Sequence, residues 1–250
     1  LRQAMWHAID TGLVVDKFYY GLIPKGTTMI APFYGDYHDK TNPGREYDPE
    51  KANQLLDEAG YEWREGEKYR REPDGNEFKI IFAAPAGGDT AEPMAKYYIQ
   101  AWGEVGLHVE LLNGRLMEAN NFYEMLNSKN DYEADVFLSS FGQFSNPDPR
   151  IFNGKDSMFN YPRFQSEESN RLLEAGGSIE AFDKNFLMDV YNQWQELMVE
   201  EVPRFPVRYG TRMVAVNNRI LNYSIDRAHD LYLKYHEIAV TQDKPFVHGE

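Results

Sequence analysis

The 250-residue chain has 42% hydrophobic and 26% charged residues, enough apolar material for a core and too much for a disordered tail. Forty acidic against 26 basic side chains leave a formal charge of −14. That field repels nucleic-acid phosphates and anionic membrane surfaces. With no cysteine there is no disulfide, thiolate metal site or thiol nucleophile, and no apolar run nears the roughly 18 residues that span a bilayer.

In chain order, Leu1, Met5, Ala8, Ile9 and Leu13 fall on one helical face, which predicts an amphipathic helix running to about Tyr19. The chain opens in mid-helix, so it reads as a piece of a longer protein. Residues 23–47 carry Pro24, Pro32, Pro43, Gly26, Gly35 and Gly44 and read as a long irregular segment. Asp48-Pro49-Glu50 is a helix start and Gly60 a left-handed stop. A strand over 78–82, a helix from 89 or 90 to about Gly106 and a strand over 107–111 form a βαβ unit with parallel strands. A helix over 118–126, a strand over 134–138 and helices over 167–175 and 182–199 follow. Late strands over 205–209 and 213–216 close an α/β pattern with a mixed sheet flanked by helices. The tail after Asn218 has weaker periodicity and is expected to leave the main domain, giving segments 1–217 and 218–250.

No motif for catalysis emerges. Asp10-Thr11-Gly12 matches one aspartic-protease triplet, but that chemistry needs two, and this one lies in a helical pattern. The six histidines show no metal-ligand spacing, so neither a metal nor a cofactor is expected. Phosphate-binding glycine loops and a nucleophile elbow are missing. A glycosidase carboxylate pair cannot be placed from spacing alone. Asn222-Tyr223-Ser224 is read as a chance sequon.

One segment stands apart. A buried strand runs into Phe141-Gly142-Gln143-Phe144-Ser145-Asn146-Pro147-Asp148-Pro149. Ligands of α/β folds bind at such carboxyl ends, and aromatics with a few polar groups suit an organic ligand. The alternative is that Phe141 and Phe144 plug the core and Pro147-Asp148-Pro149 is a rigid turn. Both readings stand on the residues alone.

Several blocks, in order, resemble the family 5 extracellular solute-binding proteins, the oligopeptide and dipeptide receptors of bacterial ABC importers. Leu1-Arg2-Gln3-Ala4 with Ala8-Ile9-Asp10 resembles the family's opening helix, and Gly21 with Pro24 and Pro32 its next loop. Tyr47-Asp48-Pro49-Glu50-Lys51-Ala52 with Leu55-Leu56-Asp57-Glu58-Ala59-Gly60-Tyr61 is the most specific block. Gln100 with Gly106-Leu107-His108-Val109, and Val202-Pro203-Arg204-Phe205-Pro206-Val207, resemble later elements.

The resemblance implies a periplasmic-binding-protein-like lobe (type II, cluster C-like) lacking its N-terminal lobe, with the tail returning towards that lobe. It implies a monomeric, non-catalytic, extracytoplasmic receptor that captures an oligopeptide between two lobes and delivers it to an ABC permease. Any signal or lipid anchor would lie in the absent part. Ligand contacts are expected at Phe141, Phe144, Ser145, Asn146, Asp148 and Tyr209, with Tyr34 and Tyr161 as weaker candidates. Relatives often carry, near Gln143–Ser145, an acidic residue for the peptide's amino group. Here Asp148 comes a few residues late, which leaves a sugar or metal-chelate ligand as an alternative, with a carboxylate-dependent hydrolase behind it.

Overall fold

The computed structural model describes residues 1–128, 132–142, 146–211, 214–223 and 235–241. It divides into two compact units, one of residues 1–141 and 148–210, the other of 142–147 and 211–250.

The first unit opens with two helices rather than one: α1, Arg2–His7, and α2, Thr11–Tyr19. The break falls at Asp10, whose carboxylate accepts the Leu13 backbone N–H at 2.8 Å and caps α2. The protease-like triplet is therefore a helix cap, a use Asp serves with no catalytic partner. Helix α3, Pro49–Glu58, starts as its sequence dictates, with the Asp48 carboxylate accepting from Lys51 N. It stops in a Schellman motif: Tyr61 N donates to Leu56 O and Gly60 N to Asp57 O, with Gly60 at φ +82.

Strand β1 (Ile80–Ala83), helix α4 (Ala91–Glu104) and strand β2 (Val109–Leu111) form the expected βαβ unit, with Ile80 opposite Val109 in parallel register. Helix α5, Ala119–Asn127, is capped by Glu118 and leads to strand β3, Val136–Phe137. The sheet order is β2-β1-β3. The α/β architecture stands, but the sheet, expected to be mixed, is parallel in all three described strands.

The late strand expected over 205–209 does not join it. Pro203 and Pro206 have no N–H for a ladder. The segment instead lies antiparallel to residues 24–26, through Gly26 N to Val207 O and Tyr209 N to Pro24 O. The other late strand, over 213–216, begins at Met213, outside the described residues, and residues 214–216 form no strand.

A four-residue helix the periodicity does not reveal, α6 (Arg150–Asn153), precedes α7 (Glu167–Ala175) and α8 (Lys184–Glu201). Three apolar clusters hold this unit. The largest packs α1, α3 and α4 on the sheet through Met5, Leu56, Phe82 and Trp102. The second joins α7 to α8 through Leu172, Leu173 and Trp194. The third sets Phe122 and Leu126 of α5 against Ala83 and Tyr161. Among the described residues no helix is long and apolar enough to cross a membrane.

In the second unit, β4 (Ile220–Leu221) pairs antiparallel with β5 (Ala239–Val240), and Asn222 Nδ2 donates to Glu237 O at 2.9 Å.

Candidate functional site

Three parallel strands bring their carboxyl ends to one edge, and the segment leaving β3 carries the aromatics singled out in the sequence. Leu138 N donates to Ala83 O, which ties the start of this segment to β1. Beyond it, Phe141 stacks on Tyr161 with centroids 5.4 Å apart and 28° between planes. It meets Phe152 of α6 at 4.8 Å. Phe159 completes the nest, 6.0 Å from Phe152 and 6.3 Å from Tyr161. These are offset and tilted pairings, each adding about 1 kcal/mol to simple burial. Tyr161 is buried, its hydroxyl donating to Asn127 Oδ1, while Phe141 and Phe152 keep part of their surface open. The core-plug reading of Phe141 is what the packing shows: it lies against the third core with part of its ring left open.

Arg204 closes the nest. Helix α8 ends at Val202 in a left-handed turn, φ +47, uncommon for a β-branched residue. The turn carries the chain through Pro203 to Arg204, whose guanidinium carbon stands 5.1 Å from the Phe141 ring centroid. Its Nη2 donates to Asn153 Oδ1, and its Nε is buried with no partner. Although part of the residue remains accessible, burial of the guanidinium draws its pKa down to about 10. The sequence reading took Val202–Val207 only as a strand-like block. A lone arginine inside the apolar run Val-Pro-Arg-Phe-Pro-Val was the available signal.

The other expected contacts distribute differently. Asp148 is committed to Arg150: Nη2 reaches Oδ2 at 2.6 Å, Nε lies 2.9 and 3.0 Å from the two oxygens, and the Arg150 N–H donates to Oδ1. The pair raises the Arg150 pKa.

Tyr209 is 6% exposed. Its hydroxyl accepts the N–H groups of Thr27 and Thr28 at 3.1 and 2.9 Å and donates to Thr28 O at 2.8 Å. Below it, Gln195 Oε1 accepts from Thr28 Oγ1 and Asp39 N, and its amide donates to the Tyr37 and Tyr191 carbonyls. Tyr209 thus sits in a buried polar network that pins the irregular 24–41 segment. Tyr34, in that segment, meets Phe33 with centroids 4.0 Å apart and the rings tilted by 43°. Asn146 falls in the second compact unit, and Phe144 and Ser145 lie outside the described residues. Among the described residues, no three His, Asp or Glu side chains converge as metal ligands would.

Comparison with known proteins fits this frame. Residues 1–163 match the family described as bacterial extracellular solute-binding proteins, family 5 Middle, and the chain belongs to that family. The oligopeptide-binding protein OppA of Lactococcus lactis is 29% identical over 230 residues, which cover 90% of this chain and 38% of the relative. The solved structure of lactococcal OppA, closed on an endogenous peptide, superposes with a TM-score of 0.85 at 27% identity, over 96% of this chain and 44% of that one. The oligopeptide-binding protein AppA of Bacillus subtilis, in complex with a nonapeptide, shares the fold with a TM-score of 0.79 at 21% identity, over 96% and 47%. The chain thus spans less than half the length of these relatives.

Proposed function

We propose that the chain is part of the substrate-capturing component of an ABC importer for oligopeptides, acting outside the cytoplasm and without catalysis. The observation that carries this reading is the 0.85 superposition on a receptor closed around a peptide, within a family of solute-binding proteins. The nest at the carboxyl edge of β3 offers the aromatic wall such a ligand needs.

A receptor for varied peptides binds mainly through their backbones, so that affinity tolerates changes of side chain. Ligand held between two lobes favours the closed state by its differential affinity for that state, and the closed shape is what a permease would recognise. In this reading Phe141 touches the ligand. Asp148, through Arg150, and Tyr209, through Thr27 and Thr28, hold the surrounding scaffold. Phe144, Ser145 and Asn146 stay proposed contacts on the strength of the sequence, and residues 218–250 are proposed to return to a second lobe.

The test is calorimetric titration of the full-length protein with pentapeptides and nonapeptides of mixed sequence, followed by mass analysis of the recovered ligand. Binding of one peptide per protein, recovered intact, supports the reading. Cleaved peptide, or no binding of any peptide, overturns it.

A further inference from the structure

Among the described residues, Arg204 is a partly buried cation with no anion beside it. Among the described residues its guanidinium donates to the neutral Asn153 alone, through Nη2, and its Nε is buried without a partner. The Phe141 ring at 5.1 Å supplies a cation–π contact. Desolvated charges are ordinarily paired, because burying one alone is costly. The 138–149 segment holds one carboxylate, Asp148, and Arg150 already occupies it. Nor is the position arbitrary: Phe141 stands beyond the carboxyl end of a parallel strand, where α/β sheets take their ligands. A guanidinium is a planar fork of donors matched to a carboxylate, a match that a neutral amide lacks.

We propose that Arg204, beside Phe141, donates to a carboxylate of the bound ligand, giving the receptor a preference for an acidic group there over its amide. This rests on the reading of the chain as part of a peptide receptor and names one feature of that receptor's selectivity. The negative charge of a docked carboxylate would favour the guanidinium form and so oppose the lowering that burial imposes on the Arg204 pKa.

The experiment uses the full-length protein and alanine pentapeptides with one Glu walked through the five positions, each against its Gln counterpart. The all-alanine peptide, as free acid and as C-terminal amide, completes the set. Hydrogen bonds to a charged group predict that at one of these points the acid binds at least about tenfold tighter than the amide. Arg204→Gln should bring that ratio close to one while changing affinity for the amides by less than about threefold, and Arg204→Lys should retain an intermediate ratio. If Arg204→Gln fails to fold, as judged by circular dichroism, Arg204→Met takes its place. Peptides bound with no acid preference at any point, or a preference unchanged in the variant, overturn the carboxylate site alone. Failure of the wild-type protein to bind any of the peptides overturns the peptide reading and this proposal together.

Discussion

Asp148 and Arg150 are locked together two residues apart, the guanidinium lying across both carboxylate oxygens while the Arg150 N–H donates to one of them. The carboxylate side chain is 13% exposed and the guanidinium 47%. Arg150 in turn fills the space over Gly177, where a Cβ would fall 1.8 Å from its Nη1. An acidic residue expected as counter-ion for a ligand's ammonium thus has its positive partner within its own loop.

That pairing makes Asp148 a poor discriminator of free amino groups. Asp148→Asn in the full-length protein should change the ratio of affinities for free and N-acetylated peptides by less than about threefold. With the guanidinium half open to solvent, the ion pair is worth about 1 kcal/mol, and the Asn side chain can still accept from the Arg150 N–H, so the loss of stability should be small. Paired titrations and a thermal melt check both. A tenfold fall in the preference for free amines would mean that Asp148 leaves Arg150 when ligand arrives.

Tyr209→Phe should be far more damaging. It removes the acceptor for two N–H groups and the donor to Thr28 O, at a residue only 6% exposed. Leaving buried polar groups unpaired costs about 1–3 kcal/mol each, so a loss of about 3 kcal/mol is expected. Denaturant unfolding reads it, and ligand affinity of the folded protein should be little changed.

Arg70 gives a sharper test of geometry. It is 4% exposed and donates to Val105 O, Tyr61 O, Asn53 Oδ1 and Asp57, stapling the end of α3 to the end of α4. A lysine keeps the charge but not the fork. Arg70→Lys should therefore destabilise nearly as much as Arg70→Met, each by about 2–4 kcal/mol. Full stability in the lysine variant would show that charge alone matters there.

Tyr97 sets an alkaline limit. Burial pushes its phenol up to about 12, and its hydroxyl is bound to the backbone of Asp10 at the start of α2. A raised phenol favours the neutral folded form, so its contribution is complete below pH 10 and is lost as pH rises from 10 through 12. Melting temperatures over that range should fall less steeply in Tyr97→Phe than in the wild type.

What could be read from the sequence was local. Asp48-Pro49 announces its helix because cap and proline act within one turn, and the βαβ unit shows itself through periodicity and Gly106. The break at Asp10 hides because an apolar face runs across it and the capping contact is the only sign. The segment 205–209 has strand composition, yet its partner is the distant 24–26 segment, and Pro206 interrupts its donors. In the site, the aromatic run after β3 was visible. The Asp148–Arg150 lock and the placing of Arg204 against Phe141 were not, since each depends on where α6 and the end of α8 are brought in the folded unit.

The most direct test of the central claim is native mass spectrometry of the full-length protein, gently purified from its own cells. A receptor for oligopeptides should carry a ladder of non-covalent masses that sequence as intact peptides of varied composition. A single non-peptide mass, or peptides released only as cleavage products, would contradict the account.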